Sequence, residues 1–152
     1  MKLAEALAER ADAQRRLAQL KQRVTLSARV QEGEEPPEDP RELLSEADRI
    51  VEQLEDLIKR INRTNANSEF EAGASVTHAL ARRDVLSIQR DLYAEAAQAA
   101  SVRQDRYSRS EVKFVTTLDV SALRRRADDL SKEYRELDAR LQAKNWEIEL
   151  SE

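Results

Sequence analysis

The sequence contains no cysteine, so it can form no disulfide and supply no thiol nucleophile or cysteine ligand for a metal. Aromatic residues make up only 4% of it and glycine occurs only twice. This scarcity argues against sandwiches, barrels and nucleotide-binding α/β folds, which need β-rich runs and tight turns. No apolar run approaches the roughly 18 residues of a membrane span, and residues 1–20 lack the apolar core of a signal peptide. These absences predict a cytoplasmic protein away from the membrane.

Charged residues are abundant, at 37% against 40% hydrophobic residues, and the net charge is −4. This balance is typical of helices that bury one stripe and expose their other faces. The acidic isoelectric point, near 5.3, disfavours broad electrostatic binding of nucleic acid. The length fits a single helical domain over residues 1–152.

Four stretches carry apolar residues at alternating steps of three and four, which is the pattern of a helix packing stripe. The second stripe is uninterrupted: Leu43, Ala47, Ile50, Leu54, Leu57 and Ile61. The fourth is Leu123, Ala127, Leu130, Tyr134, Leu137 and Leu141. The first is Leu3, Ala6, Ala13, Leu17, Leu20 and Val24, and the third is Leu80, Val85, Ile88, Leu92, Ala96 and Ala99. The stripes predict a mainly α protein of four long amphipathic helices that pack like a coiled coil.

The helices are predicted over residues 3–30, 40–63, 76–100 and 120–145. An acidic, proline-rich loop, residues 32–40, separates the first two, because its prolines and glycine prevent a helix. Asp39, Pro40 and Glu42 form a capping box at the start of the second helix, and Asp119 caps the fourth. Similar lengths and a short connection predict antiparallel hairpins or a bundle.

Residues 111–118, with the sequence EVKFVTTL, alternate in the manner of a strand and are rich in β-branched residues. They predict a short β-strand between the third and fourth helices. A single strand must pair with something, either a nearby segment of its own chain or the same strand of another subunit.

Several segments together resemble the septicolysin-like family of small, uncharacterised bacterial helical proteins: Gln31–Pro40, Arg60–Asn65, Ala81–Leu86, Ser101–Val115 and Lys144–Trp146. The resemblance covers nearly the whole chain and implies a helical fold. It supplies no catalytic residues. The family label implies a membrane-active, lytic protein, but the chain has no strongly basic amphipathic helix and no pair of lipid-facing strands.

The strongest local chemistry is a basic segment with one aromatic residue, formed by Arg103, Arg106, Tyr107, Arg109 and Lys113. Arginine forks bind phosphate or carboxylate and tyrosine can stack, so this patch is a candidate site for an anion or nucleic acid. The interleaved Asp105 and Glu111 favour a structural salt-bridge network instead. The basic segment could also pair with the acidic loop of the same or a neighbouring chain, through Glu32, Glu34, Glu35, Glu38 and Asp39.

Weaker candidates are also present. His78 is the only histidine and is interpreted as a surface or cap residue rather than a metal ligand. Glu52 and Glu55 resemble half of a magnesium site, but Asp84 and Asp91 lack the matching spacing, so surface charge is the favoured interpretation.

Trp146 is predicted to form a hydrophobic plug against the bundle or a neighbouring subunit, or alternatively to belong to a tail that docks a partner. The sequence therefore predicts a structural or protein-interaction protein, not an enzyme, without a cofactor or metal. Amphipathic hairpins bury their remaining stripes against another copy, so a homo-oligomer is expected. The alternatives are an anion or nucleic-acid binder, a magnesium-dependent phosphohydrolase and a membrane-active protein.

Overall fold

The computed structural model describes residues 1–101 and 112–152. These residues form four long helices and one two-stranded sheet, which confirms the predicted mainly α fold. In chain order the elements are α1 (Leu3–Ser27), α2 (Pro40–Asn67), β1 (Glu69–Glu71), β2 (Ala74–Ser75), α3 (Val76–Ala100) and α4 (Val120–Glu147).

The helix starts follow their predicted signals. The Asp39 side chain accepts a hydrogen bond from the Arg41 amide at 2.9 Å, with Pro40 in the first turn. Asp119 accepts from the Ala122 amide at 3.0 Å at the start of α4. The predicted caps at Asp39 and Asp119 are confirmed, but among the described residues no hydrogen bond from Glu42 completes the predicted capping box.

Two helix ends differ from prediction. Helix α1 stops at Ser27, short of residue 30, while α2 continues through Thr64 to Asn67. The polar run after Arg63 does not end α2, because the Thr64 hydroxyl donates to the Arg60 carbonyl at 2.8 Å. Its side chain thereby bonds within the helix rather than competing with it.

The prediction of a strand at residues 111–118 is wrong for residues 112–118, the part that the structure describes. Residues 112–117 adopt no regular secondary structure. The sheet lies instead between α2 and α3, where β1 and β2 pair across a turn with Gly73 at a φ of +80°. The alternation at 112–118 failed as a predictor because no other described strand pairs with this segment.

The chain divides into two compact units, Met1–Glu69 with Gln142–Glu152, and Phe70–Leu141. In the first unit α1 and α2 are antiparallel, because the start of α1 packs on the end of α2 and the end of α1 on its start. Two clusters make this contact. One comprises Leu3, Ala6, Leu57, Ile61 and Leu150, and the other comprises Leu20, Leu43 and Ile50. The predicted stripes of α1 and α2 are confirmed.

The C-terminal residues complete the first unit. Leu150 is buried in the first cluster, and the Ser151 amide donates to the buried Thr64 hydroxyl oxygen at 2.9 Å. Trp146 is 62% exposed and does not plug the core of its own chain, so that part of the prediction is wrong, whereas a contact with a neighbouring subunit stays a prediction. Leu150 and the half-buried Ile148 take this role instead.

In the second unit α3 and α4 are antiparallel. Arg83 near the start of α3 bonds to Asp138 late in α4, and Ser101 after α3 accepts from Arg124 early in α4. The predicted α4 stripe is confirmed, with Ala127, Leu130 and Leu141 buried. The sheet is held on α4 as well. Arg140 lies over the Phe70 ring, 4.8 Å from its centroid, and donates to Glu71.

Candidate interaction surface

The third predicted stripe is not the buried face of α3. Helix α3 buries Val76, Ala79, Leu86 and Ala97, whereas Val85, Ile88 and Leu92 are 45%, 68% and 63% exposed. Residues 85, 88 and 92 still follow the three-and-four spacing of a packing face. We call Val85, Ile88 and Leu92 the α3 outer stripe. Helix α3 thus carries apolar residues on two opposite faces, and α4 covers the face that contains Val76, Ala79, Leu86 and Ala97.

The face that α4 covers explains the error. Its positions also follow steps of three and four: Val76, Ala79, Arg83, Leu86, Arg90, Tyr93 and Ala97. Two of these positions are arginines, so this face does not stand out in the sequence as an apolar stripe. Arg83 bonds to Asp138, and Arg90 lies 5.7 Å from the centroid of the Tyr134 ring. Arginine stems pack against apolar surface while their charged ends find partners, so both residues can occupy this buried face.

A second apolar surface lies in the residues before α4. Phe114 and Val115 are about four-fifths exposed and Leu118 about half. We call residues 113–118 the 113–118 segment. Within the described chain, residues 113–117 make no backbone-to-backbone hydrogen bond, so their N–H and C=O groups are open to a partner.

The 113–118 segment and α3 share a shallow cavity of about 490 Å³. On the α3 side the cavity is lined by Ala96, Ala99 and Ala100, which form its floor, and on the other side it is lined by residues 114–118. Because Ala96 and Ala99 lie four and seven residues after Leu92, they continue the α3 outer stripe. The two apolar surfaces are therefore joined through a floor of small side chains.

The predicted basic patch is described only in part. Arg103, Arg106, Tyr107 and Arg109 lie outside the described residues. Lys113 is exposed, next to Phe114. Binding of an anion or nucleic acid by this patch stays a prediction.

Two residues of the predicted acidic loop are used within the chain. Glu38 receives a two-pronged hydrogen bond from Arg23 of α1, with Arg23 Nε 2.9 Å from Glu38 Oε2, and Asp39 caps α2. The hydrogen bond from Arg23 lowers the pKa of Glu38, although partial loss of solvent acts in the other direction. Glu32, Glu34 and Glu35 are exposed.

The other chemical candidates have structural partners. His78 completes a capping box on α3, in which its Nδ1 accepts from the Ser75 amide at 3.1 Å, so its interpretation as a cap is confirmed. Glu55 pairs with Lys59, and Asp84 and Asp91 each pair with the preceding arginine. Across residues 1–101 and 112–152, no three His, Cys, Asp or Glu side chains are grouped to hold a metal ion.

No helix within residues 1–101 or 112–152 is both long and apolar enough to cross a membrane.

Comparisons with known proteins place the chain in a family. A search of curated proteins found no match. A conserved protein of unknown function from Corynebacterium diphtheriae, known from a crystal structure, is 48% identical, with a TM-score of 0.91 over 99% of each chain. A family of unknown function, DUF6847, matches residues 10–150. Because that match spans most of the sequence, the chain belongs to the DUF6847 family.

Proposed function

We propose that this chain is a non-enzymatic interaction protein that assembles with copies of itself through helix packing. The observation that carries the proposal is the α3 outer stripe, in which Val85, Ile88 and Leu92 stand exposed at helix-packing spacing. Amphipathic helices bury such faces against another helix, because removing apolar surface from water is favourable. Since α4 covers the opposite face of α3 and no described residue buries this stripe, we assign its partner to another molecule.

A non-catalytic role is supported by the way the chain uses its reactive side chains. His78 caps a helix, Arg83 and Asp138 join two helices, and Glu38 ties a loop to α1. Each is therefore engaged in holding the fold. The septicolysin-like resemblance, the cytoplasmic location and the lytic activity implied by that family label stay predictions.

The proposal is tested by measuring mass in solution with light scattering over a range of concentrations. The wild type should exceed the 17.4 kDa of one chain, and Ile88→Glu should shift it towards that mass. Burying a new carboxylate in a helix contact is costly, so the assembly should weaken. Leu26→Glu is the matched control, because Leu26 is as exposed as Ile88 but lies at the end of α1.

A wild type that stays at 17.4 kDa at every concentration would contradict self-assembly. Equal weakening by Ile88→Glu and Leu26→Glu would show that added charge, rather than the α3 outer stripe, controls the mass.

A further inference from the structure

We infer that the 113–118 segment forms an intermolecular strand, pairing antiparallel with the same segment of a second copy. This inference rests on the proposed self-assembly and names the segment through which two copies join. Three properties of the segment meet here: a strand-like sequence, an unpaired backbone and exposed apolar side chains.

The first property is the sequence pattern. Residues 112–118 alternate and are rich in Val, Phe and Thr, which favour strands. Yet the described chain holds them in no strand, and residues 113–117 make no backbone-to-backbone hydrogen bond. A segment of this composition with unpaired backbone groups at residues 113–117 is a ready edge for another strand.

The partner of the 113–118 segment is the same segment of a second copy. Two identical strands related by a two-fold axis pair antiparallel, and each residue of one then has a counterpart in the other. The register that overlaps the whole of residues 113–117 centres on Val115. It places Phe114 opposite Thr116, and Lys113 opposite Thr117, of the second copy. The two Lys113 charges are then separated by about 13 Å along the strands, so they do not repel each other at close range.

The exposed apolar side chains supply part of the area that such an interface buries. A stable interface buries about 800 Å² from each partner. The exposed parts of six large side chains supply about 400 Å² of apolar surface, roughly half of that area, at on the order of 100 Å² each when fully exposed. They are Val85, Ile88, Leu92, Phe114, Val115 and Leu118. The alanine floor at Ala96 and Ala99 leaves room for incoming side chains.

The absence of cysteine makes a direct test possible, because an introduced cysteine is the only thiol in the chain. Opposed residues of antiparallel strands have Cα atoms about 4.5 to 5.5 Å apart, within the range that a disulfide spans. Under mild oxidation, full-length Val115→Cys should therefore form a covalent dimer. Lys113→Cys should not, because its counterpart is too distant.

A second pair of variants tests whether the backbone amide of Val115 contributes a hydrogen bond to the pairing of the two strands. Val115→Pro and Val115→Ala both shorten the side chain, but only proline removes the amide donor. Val115→Pro should raise the dissociation constant of the assembly at least tenfold over Val115→Ala. Because Val115 is exposed and makes no backbone-to-backbone hydrogen bond with another described residue, both variants should keep the wild-type circular dichroism spectrum.

The outcomes separate this inference from the proposed function. A wild type that is oligomeric but gives no Val115→Cys cross-link would overturn strand pairing and leave self-assembly standing. Equal cross-linking of Lys113→Cys, or equal dissociation constants for the proline and alanine variants, would also overturn it. A monomeric wild type would overturn both proposals.

Discussion

Arg83 of α3 donates from Nη1 to Asp138 of α4 at 3.2 Å, and it does so from a position that the helix spacing assigns to the packing face. Its guanidinium also bonds to Asp84. Partial burial acts against the charge, but these hydrogen bonds raise the pKa of Arg83 above its ordinary value. The α3–α4 contact therefore includes a charge that stays fixed at any pH where the protein folds.

Arg83→Ala should destabilise the protein by about 1 kcal/mol, because it leaves the half-buried Asp138 without its cation. Partial exposure of both side chains keeps the effect below that of a fully buried pair. Chemical denaturation checks the value. Arg125→Ala, which alters an exposed arginine on α4, is the control and should change the unfolding free energy by less than about 0.5 kcal/mol.

Thr64→Val should cost about 1 to 2 kcal/mol. The substitution keeps the side-chain shape but removes the oxygen that accepts from the Ser151 amide in a buried position. The matched control is Thr25→Val, because Thr25 makes the same type of bond to the carbonyl four residues earlier but is exposed. Hydrogen exchange should show faster exchange of the Ser151 amide in Thr64→Val alone. Unchanged exchange there would refute this role for Thr64.

Ser27→Ala should stabilise the protein by about 0.5 to 1 kcal/mol. Ser27 is buried at the end of α1, and its hydroxyl has no hydrogen-bond partner among the described residues, so the wild type bears an uncompensated desolvation cost. Ser131→Ala is the control, since the Ser131 hydroxyl donates to the Ala127 carbonyl at 2.9 Å. Thermal unfolding should place Ser27→Ala above the wild type and Ser131→Ala at or below it. The opposite order would mean that the Ser27 hydroxyl is satisfied in solution.

Glu38→Gln should reduce stability at neutral pH, and the difference from wild type should vanish in acid. The folded-state pKa of Glu38 is lowered from its ordinary value of 4.5 by the Arg23 hydrogen bond. Its contribution is therefore fully present above about pH 4.5 and is lost as the pH falls through the lower folded value. Melting temperatures of both proteins across this range provide the measurement. Glu35→Gln is the control, since Glu35 is exposed in the same loop, and it should track the wild type.

Much of the fold could be predicted from spacing and capping. The stripes of α1, α2 and α4 were predictable because their buried positions are mostly occupied by apolar residues, as at Leu43, Ile50 and Leu57. The starts at Asp39 and Asp119 were predictable because the capping side chain acts on amides a few residues away. Both signals are local in sequence.

The orientation of α3 was not predictable from apolar residues alone. In the structure Arg83 lies in the packed face, where it pairs with Asp138 far along the chain, and Ile88 and Leu92 face outward. The β1–β2 hairpin was missed because its strands are only three and two residues long, although Gly73 marks its turn. The candidate surface was therefore visible in the sequence as a stripe, but its exposure was not.

The arginines in the α3–α4 contact imply that salt acts differently on the two units. The α1–α2 clusters are apolar, so a salt that is excluded from protein surfaces, such as sulfate, strengthens them. The partly exposed Arg83–Asp138 and Arg82–Glu133 pairs weaken as salt screens their charges. Adding sulfate therefore strengthens the apolar α1–α2 clusters while it weakens the two charge pairs between α3 and α4, so one salt acts in opposite directions on two kinds of contact within a single chain.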